Sequence, residues 1–176
     1  GLGKDLSQKN ILLTEAAVNP KKNRIKMADV MFNTFGFGGI TFETQALLSL
    51  FCEGLDTGLV MDSGDGVSHT IPVSDGYVLE DFVQRLNVAG SHVTTYLSKL
   101  LLIAGYAFNS SSDYEIIRNM KETLCYVSYD IDRDRKLARE TCVVNKDYRL
   151  PDKKKITLGR ERFEAPECLF NPALVD

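Results

Sequence analysis

The run D-S-G-D-G at Asp62 to Gly66 constrains this chain more than any other feature. Thr57-Gly58-Leu59-Val60-Met61 before it reads as a buried strand, and a second strand is expected from Val67 to Val73. Two strands joined by Gly-Asp-Gly make a tight hairpin, because glycine supplies the positive φ such turns need. Lacking side chains, Gly64 and Gly66 also let backbone N–H groups come close to a phosphate, and successive amides there form an anion nest. Asp62 and Asp65 would repel a bare phosphate, so the reading requires a hard divalent cation with oxygen ligands and retained waters. Alone, the same five residues also fit an ordinary surface hairpin, the commoner origin of such a run. No G-x-x-x-x-G-K-S/T occurs, so a Walker-type phosphate loop is excluded.

The elements around this hairpin mix strands and helices. Asn10 to Glu15 reads as a short strand, closed by Asn19-Pro20. A helix is expected over 22–35, with Ile25, Ala28, Phe32 and Phe35 on one face, ended by Gly36, Gly38 and Gly39. Ile40-Thr41-Phe42 reads as another strand. Thr44 then caps a helix over 45–53, with Leu47, Leu48 and Phe51 inward and Gly54 at its end. Beyond the hairpin, helices are expected over 80–87, after Asp75-Gly76, and over 91–104. The second carries an apolar stripe of Val93, Tyr96, Leu97, Leu100, Leu101 and Ala104, with Gly105 as its stop. Ser112-x-x-Glu115 is a capping box that opens a helix with Ile116, Met120 and Leu124 inward. The charge-dense stretch 130–140 reads as a solvated connection, and strands are expected over 141–148 and 155–158 around Leu150-Pro151-Asp152-Lys153. This alternation points to a mixed α/β architecture.

Composition narrows the function classes. With 176 residues, 44% of them hydrophobic, the chain can bury a real core. Its 21 Lys+Arg against 24 Asp+Glu leave a charge of −3, which excludes attachment to nucleic acid by bulk charge. No apolar run approaches the roughly 20 residues of a membrane span. Cys52, Cys125, Cys142 and Cys168 are widely spaced without C-x-x-C, the thiol usage of a reducing compartment, so a cytosolic chain is expected. Asn109-Ser110-Ser111 matches a glycosylation sequon by chance under that reading.

Few side chains outside the hairpin stand out. His69, on the strand leaving it, would point back toward a bound phosphate or its attacking water; a lone strand histidine is also a common structural hydrogen-bonder. His92, in the first turn of a helix, is expected to be exposed. Arg118, Lys121 and Glu122 share one helix, where they would embrace a base or ribose or simply form a solvated face.

Read together, these pieces resemble actin. L-L-T-E-A-x-x-N-P-K-x-N-R at Leu12 to Arg24 and Gln45-Ala46-x-Leu48-Ser49-Leu50 follow the family's order and spacing. So do T-G-L-V-M-D-S-G-D-G-V-S-H at Thr57 to His69, M-K-E-T-L-C-Y-V at Met120 to Val127, and L-P-D-x-x-x-I-T-L-G-x-E-R-F at Leu150 to Phe163. Within the family, Gly105 to Asn109, Lys136 to Thr141 and Phe163 to Glu167 look like the actin-related subunit of the filament-branching complex rather than conventional actin. On that resemblance the chain is the middle of a longer protein, without the N-terminal phosphate loop or the C-terminal adenine-site segment.

The resemblance implies the actin, chaperone-ATPase and sugar-kinase fold (ribonuclease H-like), here partial, with a five-stranded sheet, flanking helices and nucleotide held between two lobes. Residues 1–53 would close the first lobe, and 54–176 would form the second with its phosphate hairpin at 62–66. ATP or ADP with Mg²⁺ is the implied cofactor. Gly64, Asp65, Gly66 and Val67 would bind phosphate and Asp62 the metal. Gln45 and His69 would orient the attacking water, while Gly90, Arg118, Lys121 and Glu122 would line ribose and base. The implied role is a structural, nucleotide-regulated subunit rather than an enzyme built for turnover, with slow hydrolysis allowed. Its expected partners are the other subunits of the branching complex, a second actin-related protein among them, with actin filaments and nucleation-promoting factors. Its place would be the cortical actin cytoskeleton. Conventional actin, another actin-related protein, and more remotely a sugar kinase or chaperone-type ATPase are the alternatives. Two departures from the family pattern stand out: Ala89-Gly90-Ser91-His92 where actins usually carry A-G-R-D, and the stretch Gly39 to Thr44.

Overall fold

In a computed structural model, residues 5–108 and 111–175 are described, the side chains of Ser111 and Ser112 excepted. The chain divides into two compact units, Gly1–Asp62 with Ser68–Leu86 and Ser63–Val67 with Asn87–Asp176, so residue 53 falls inside the first. Mixed strands and flanking helices occur in both, as expected for an α/β chain. Among the described residues the strands form three separate sheets rather than one five-stranded sheet.

In the first unit, β1 (Asn10–Glu15) and β2 (Gly39–Thr44) run parallel, with Ile11 opposite Ile40 and Leu13 opposite Phe42. Parallel neighbours need a crossover. It is supplied by α1 (Lys21–Asp29) and a π-helical turn at Val30–Thr34, where the Phe35 amide donates to the Val30 carbonyl at 3.2 Å. That wider turn shifts the helical phase from Val30 onward, which takes Phe32 and Phe35 off the expected face. Ala28 is half-buried as expected, but Ile25, Phe32 and Phe35 are exposed, and Met27, Val30 and Met31 are half-buried in their place.

Helix α2 (Gln45–Cys52) leaves β2 directly and buries Ala46, Leu47 and Leu50; Leu48 is half-buried and Phe51 exposed, which corrects the expected inward set. Strands β3 (Gly58–Ser63), β4 (Ser68–Ser74), β5 (Tyr77–Val78) and β6 (Gln84–Leu86) form a four-stranded sheet. β3 is not buried on both faces: Val60 is half-buried while Leu59 and Met61 are exposed, the period-2 pattern of a sheet covered on one side. Ala17, Ala46, Leu47, Leu50, Ile71 and Val73 form the core here, with Val60, Val78 and Val83 packed against it.

The helix expected over 80–87 is replaced by a 3-10 turn at Glu80–Phe82 followed by β6. The cause lies just upstream. Asp75 and Gly76 have φ of 51° and 79°, so they close a two-residue hairpin between β4 and β5. The chain then returns antiparallel along β4, pairing Ser68 with Leu86, His69 with Arg85 and Thr70 with Gln84.

In the second unit, α3 (Gly90–Ile103) buries Val93, Thr94, Leu97 and Leu101 against α4 (Ser111–Leu124) and a 3-10 turn at Ala165–Leu169. On α4 Met120 is fully buried as expected and Ile116 and Leu124 are half-buried, while Ile117, outside the expected stripe, is buried as well. Asn109 and Ser110 lie outside the described residues, as does the Ser112 side chain, and with them the sequon and the capping box.

The stretch 130–140 is a helix rather than a connection. The Asp130 carboxylate accepts the Arg133 amide at 3.0 Å, and Asp132, Asp134 and Arg139 sit at the ends their charges favour, defining α5 (Ile131–Glu140). β7 (Lys146–Arg149) is shorter than the expected strand. It pairs antiparallel with β8 (Lys155–Leu158). Helix α6 (Glu161–Glu164) delivers Phe163, fully buried and 6.1 Å from the Tyr126 ring centre. Burying a side chain the size of Phe163, Leu97, Leu101 or Met120 contributes about 1.5–3 kcal/mol.

Candidate functional site

The loop Ser63–Val67 belongs to the second unit, where it docks on the start of α3. The Gly64 amide donates to the Val67 carbonyl at 3.1 Å and closes the turn. Two α3 amides then hold the loop's carbonyls: Gly90 N–H to Gly64 O at 3.0 Å, and Ser91 N–H to Asp65 O at 2.8 Å. The Ser91 hydroxyl donates to the same Asp65 oxygen at 2.7 Å. These are first-turn amides, which have no partner inside a helix. They are spent on the protein's own loop.

The glycines do not serve the turn as the sequence suggests. Neither Gly64 nor Gly66 has positive φ. A Cβ on Gly64 would meet only the Val67 oxygen at 3.8 Å, and one on Gly66 would meet nothing within 4 Å. Both residues are exposed, and the Gly66 amide has no hydrogen-bond partner among the described residues. The fold therefore makes no packing demand for glycine at either place. The open surface over the loop suits close approach of an outside group to the backbone. Gly90 differs: a Cβ there would sit 3.3 Å from both Gly64 O and Lys121 Nζ. Gly64, Gly90, Lys121 and Cys125 line a cavity of about 390 Å³.

On α4, Arg118 donates to Glu122 at 3.1 Å with Glu115 at 3.8 Å, and Glu122 holds the guanidinium above its ordinary pKa. Asp65 lies close enough to act in the same direction. Lys121 turns inward and donates to the Gly90 carbonyl at 3.0 Å, so helix, loop and lysine form one hydrogen-bonded unit. His92 is half-buried rather than exposed, and its Nδ1 accepts the Ala89 amide at 3.2 Å, capping α3. Ser91 and His92, the departures from the usual family pattern, thus both secure the start of this helix.

The remaining candidates lie in the first unit. Gln45 opens α2, exposed, with its amide 3.4 Å from the Thr14 hydroxyl. It lines a cavity of about 590 Å³ with Thr14, Glu15, Met27 and Met31. Nearby, Arg24 pairs with the buried Glu15 carboxylate, which Asn19 also bonds at 2.9 Å; the guanidinium holds that carboxyl below its ordinary pKa. His69 is half-buried in β4, opposite Arg85. Asp62 is half-buried in β3. Among the described residues no cluster of three or more His, Cys, Asp and Glu could hold a metal. A single carboxylate fits Mg²⁺, which keeps its waters and shares phosphate oxygens, better than a metal needing a protein cage.

Sequence reasoning missed the Ser91 clamp, although a serine just after Gly90 at a helix start is the available signal. No helix among the described residues is long and apolar enough to cross a membrane.

The Actin family profile matches residues 2–176. Actin-related protein 2 of Saccharomyces cerevisiae is 55% identical over 170 residues, covering 97% of this chain and 44% of the relative. The protein of the same name from Schizosaccharomyces pombe is 54% identical over 95% of this chain and 43% of its own length. That from Arabidopsis thaliana is 51% identical over 94% and 43%. The chain thus spans less than half the length of these relatives. Its profile match, running through the glycine loop and the helices that hold it, establishes that the chain belongs to the actin family.

Proposed function

We propose that this chain is the nucleotide-holding part of an actin-related subunit in the complex that nucleates branched actin filaments. The observation that carries the nucleotide reading is the loop Ser63–Val67, whose carbonyls are tied to α3 while its glycines leave the other side open. Gly64, Asp65, Gly66 and Val67 would receive the phosphates of ATP or ADP, Asp62 would hold Mg²⁺, and Gly90, Arg118, Lys121 and Glu122 would border the nucleoside. Bound Mg²⁺ neutralises phosphate charge; the protein's part is positioning and electrostatics. Gln45 and His69 are assigned to orienting the attacking water. Hydrolysis in this reading is slow and serves as a signal to the assembly.

The branching role rests on the similarity to proteins named Actin-related protein 2. A filament-forming protomer needs two complementary faces that propagate, whereas a fixed subunit meets unlike neighbours. On this reading the protein works at the cortical actin cytoskeleton as a filament-like template for a daughter branch. It does so beside a second actin-related protein, other complex subunits, actin filaments and nucleation-promoting factors. Affinity capture of the tagged full-length protein tests this. A stoichiometric multi-subunit assembly is expected; filaments of this protein alone in polymerising salt with Mg-ATP, at micromolar concentration, would overturn the subunit role.

A further inference from the structure

We propose that Ser91 is a positioning residue of the glycine loop, acting through the Asp65 carbonyl on the phosphates of a bound nucleotide; this rests on the nucleotide reading above. Two donors of one residue converge on one oxygen, the Ser91 amide at 2.8 Å and its hydroxyl at 2.7 Å. A carbonyl oxygen has two lone pairs, and here both have a donor. The peptide between Asp65 and Gly66 carries that oxygen at one end and the Gly66 amide at the other. Because the peptide unit is planar and trans, fixing the oxygen fixes the amide pointing the opposite way. The Gly66 N–H has no hydrogen-bond partner among the described residues, as is also true of the Asp65 and Val67 amides, and no atom stands within 4 Å of the place the Gly66 Cβ would take. Of these amides the clamp fixes that of Gly66, which it holds on the open side of the loop.

The neighbouring bonds give this geometry a stiff base. Gly90 donates to Gly64 O, while the Gly90 carbonyl accepts from Lys121 at 3.0 Å and from the Thr94 hydroxyl at 3.1 Å. A loop preorganised in this way loses less freedom when an anion binds, and the gain appears mainly as slower release. Ser91 itself is half-buried at the first turn, outside the apolar stripe, so its hydroxyl can be removed without opening the core.

The test uses the full-length protein with ATP, ADP and adenosine as probes. Loss of one hydroxyl bond predicts that Ser91→Ala releases Mg-ATP and Mg-ADP roughly 3- to 10-fold faster. Adenosine, which has no phosphate, should bind it as it binds wild type. Ser91→Thr keeps the hydroxyl and should restore wild-type release. Equal loss for adenosine, wild-type release from Ser91→Ala, or failure of Ser91→Thr to restore would each overturn the positioning role. Should wild-type protein itself bind neither ATP nor ADP, the nucleotide reading falls, and this inference falls with it for that separate reason.

Discussion

The Lys121 ammonium donates to the Gly90 carbonyl oxygen at 3.0 Å, joining α4 to the first residue of α3 across 31 positions of sequence. It also explains why Gly90 carries no side chain: a Cβ would crowd both Lys121 Nζ and the Gly64 oxygen at 3.3 Å. The loop, the helix start and the lysine are one unit, so changing one should be felt by the others.

Lys121→Met keeps the length of the side chain and removes its donor. A partly buried hydrogen bond from a charged group contributes about 1.5 kcal/mol. The variant should unfold at lower denaturant with an unchanged m-value, and Mg-ATP should also bind more weakly. Wild-type stability would show that the contact is incidental.

Gln45 makes only a long bond to Thr14 and is exposed. Gln45→Ala should leave stability within about 0.5 kcal/mol of wild type, as for surface substitutions generally. A group that orients water acts mainly on the transition state, so single-turnover cleavage of ATP should slow roughly 100-fold while affinity stays near normal. A large affinity loss with normal cleavage would reverse the assignment.

Glu15 supplies a pH dependence with a definite sign. Arg24 lowers its folded pKa, so its contribution to stability is complete above the unfolded carboxylate pKa and is lost as pH falls through the folded value. Glu15→Gln should lower Tm at pH 7 by roughly 2–4 °C. That deficit should shrink steadily as both proteins are acidified through the carboxylate range. A deficit independent of pH would assign the loss to shape rather than charge.

The cysteines should sort by environment. Burial pushes the Cys125 thiol up to about 12, and Cys168 is buried with its thiol raised as well, whereas Cys52 and Cys142 are exposed. Since the thiolate is the reactive form, iodoacetamide at pH 8 should label Cys52 and Cys142 first. Peptide mass analysis reads the order, and early labelling of Cys125 would contradict the packing around it.

The sequence was most legible where local signals and packing agree. Asn10 to Glu15 and the stripe from Val93 to Leu101 met that condition, and both elements form where expected. It misled where backbone geometry intervened. The π turn at Val30–Thr34 moved Phe32 and Phe35 off the face that a 3.6 period assigns them. Asp75-Gly76, which precedes the expected helix over 80–87, instead closes the hairpin between β4 and β5. Asp130, read as one charge in a solvated run, is the cap that makes that run helical. At the site, glycine spacing located the loop, but of its two reasons positive φ does not hold at Gly64 or Gly66, and the open approach to the backbone is the one the surface leaves room for. The docking of that loop on Ser91 and Lys121 is long-range, and no local pattern encodes it.

The most direct measurement of the central claim is Mg-ATP titration of the full-length protein against its Gly64→Val variant, with thermal unfolding of both. A side chain at Gly64 meets only the Val67 oxygen at 3.8 Å and no positive φ, so the variant should fold with a near wild-type Tm. It should nevertheless bind Mg-ATP at least about 10-fold more weakly, as expected when a side chain blocks a preformed backbone contact worth about 1.4 kcal/mol or more. A folded Gly64→Val protein with unchanged ATP affinity would contradict the account.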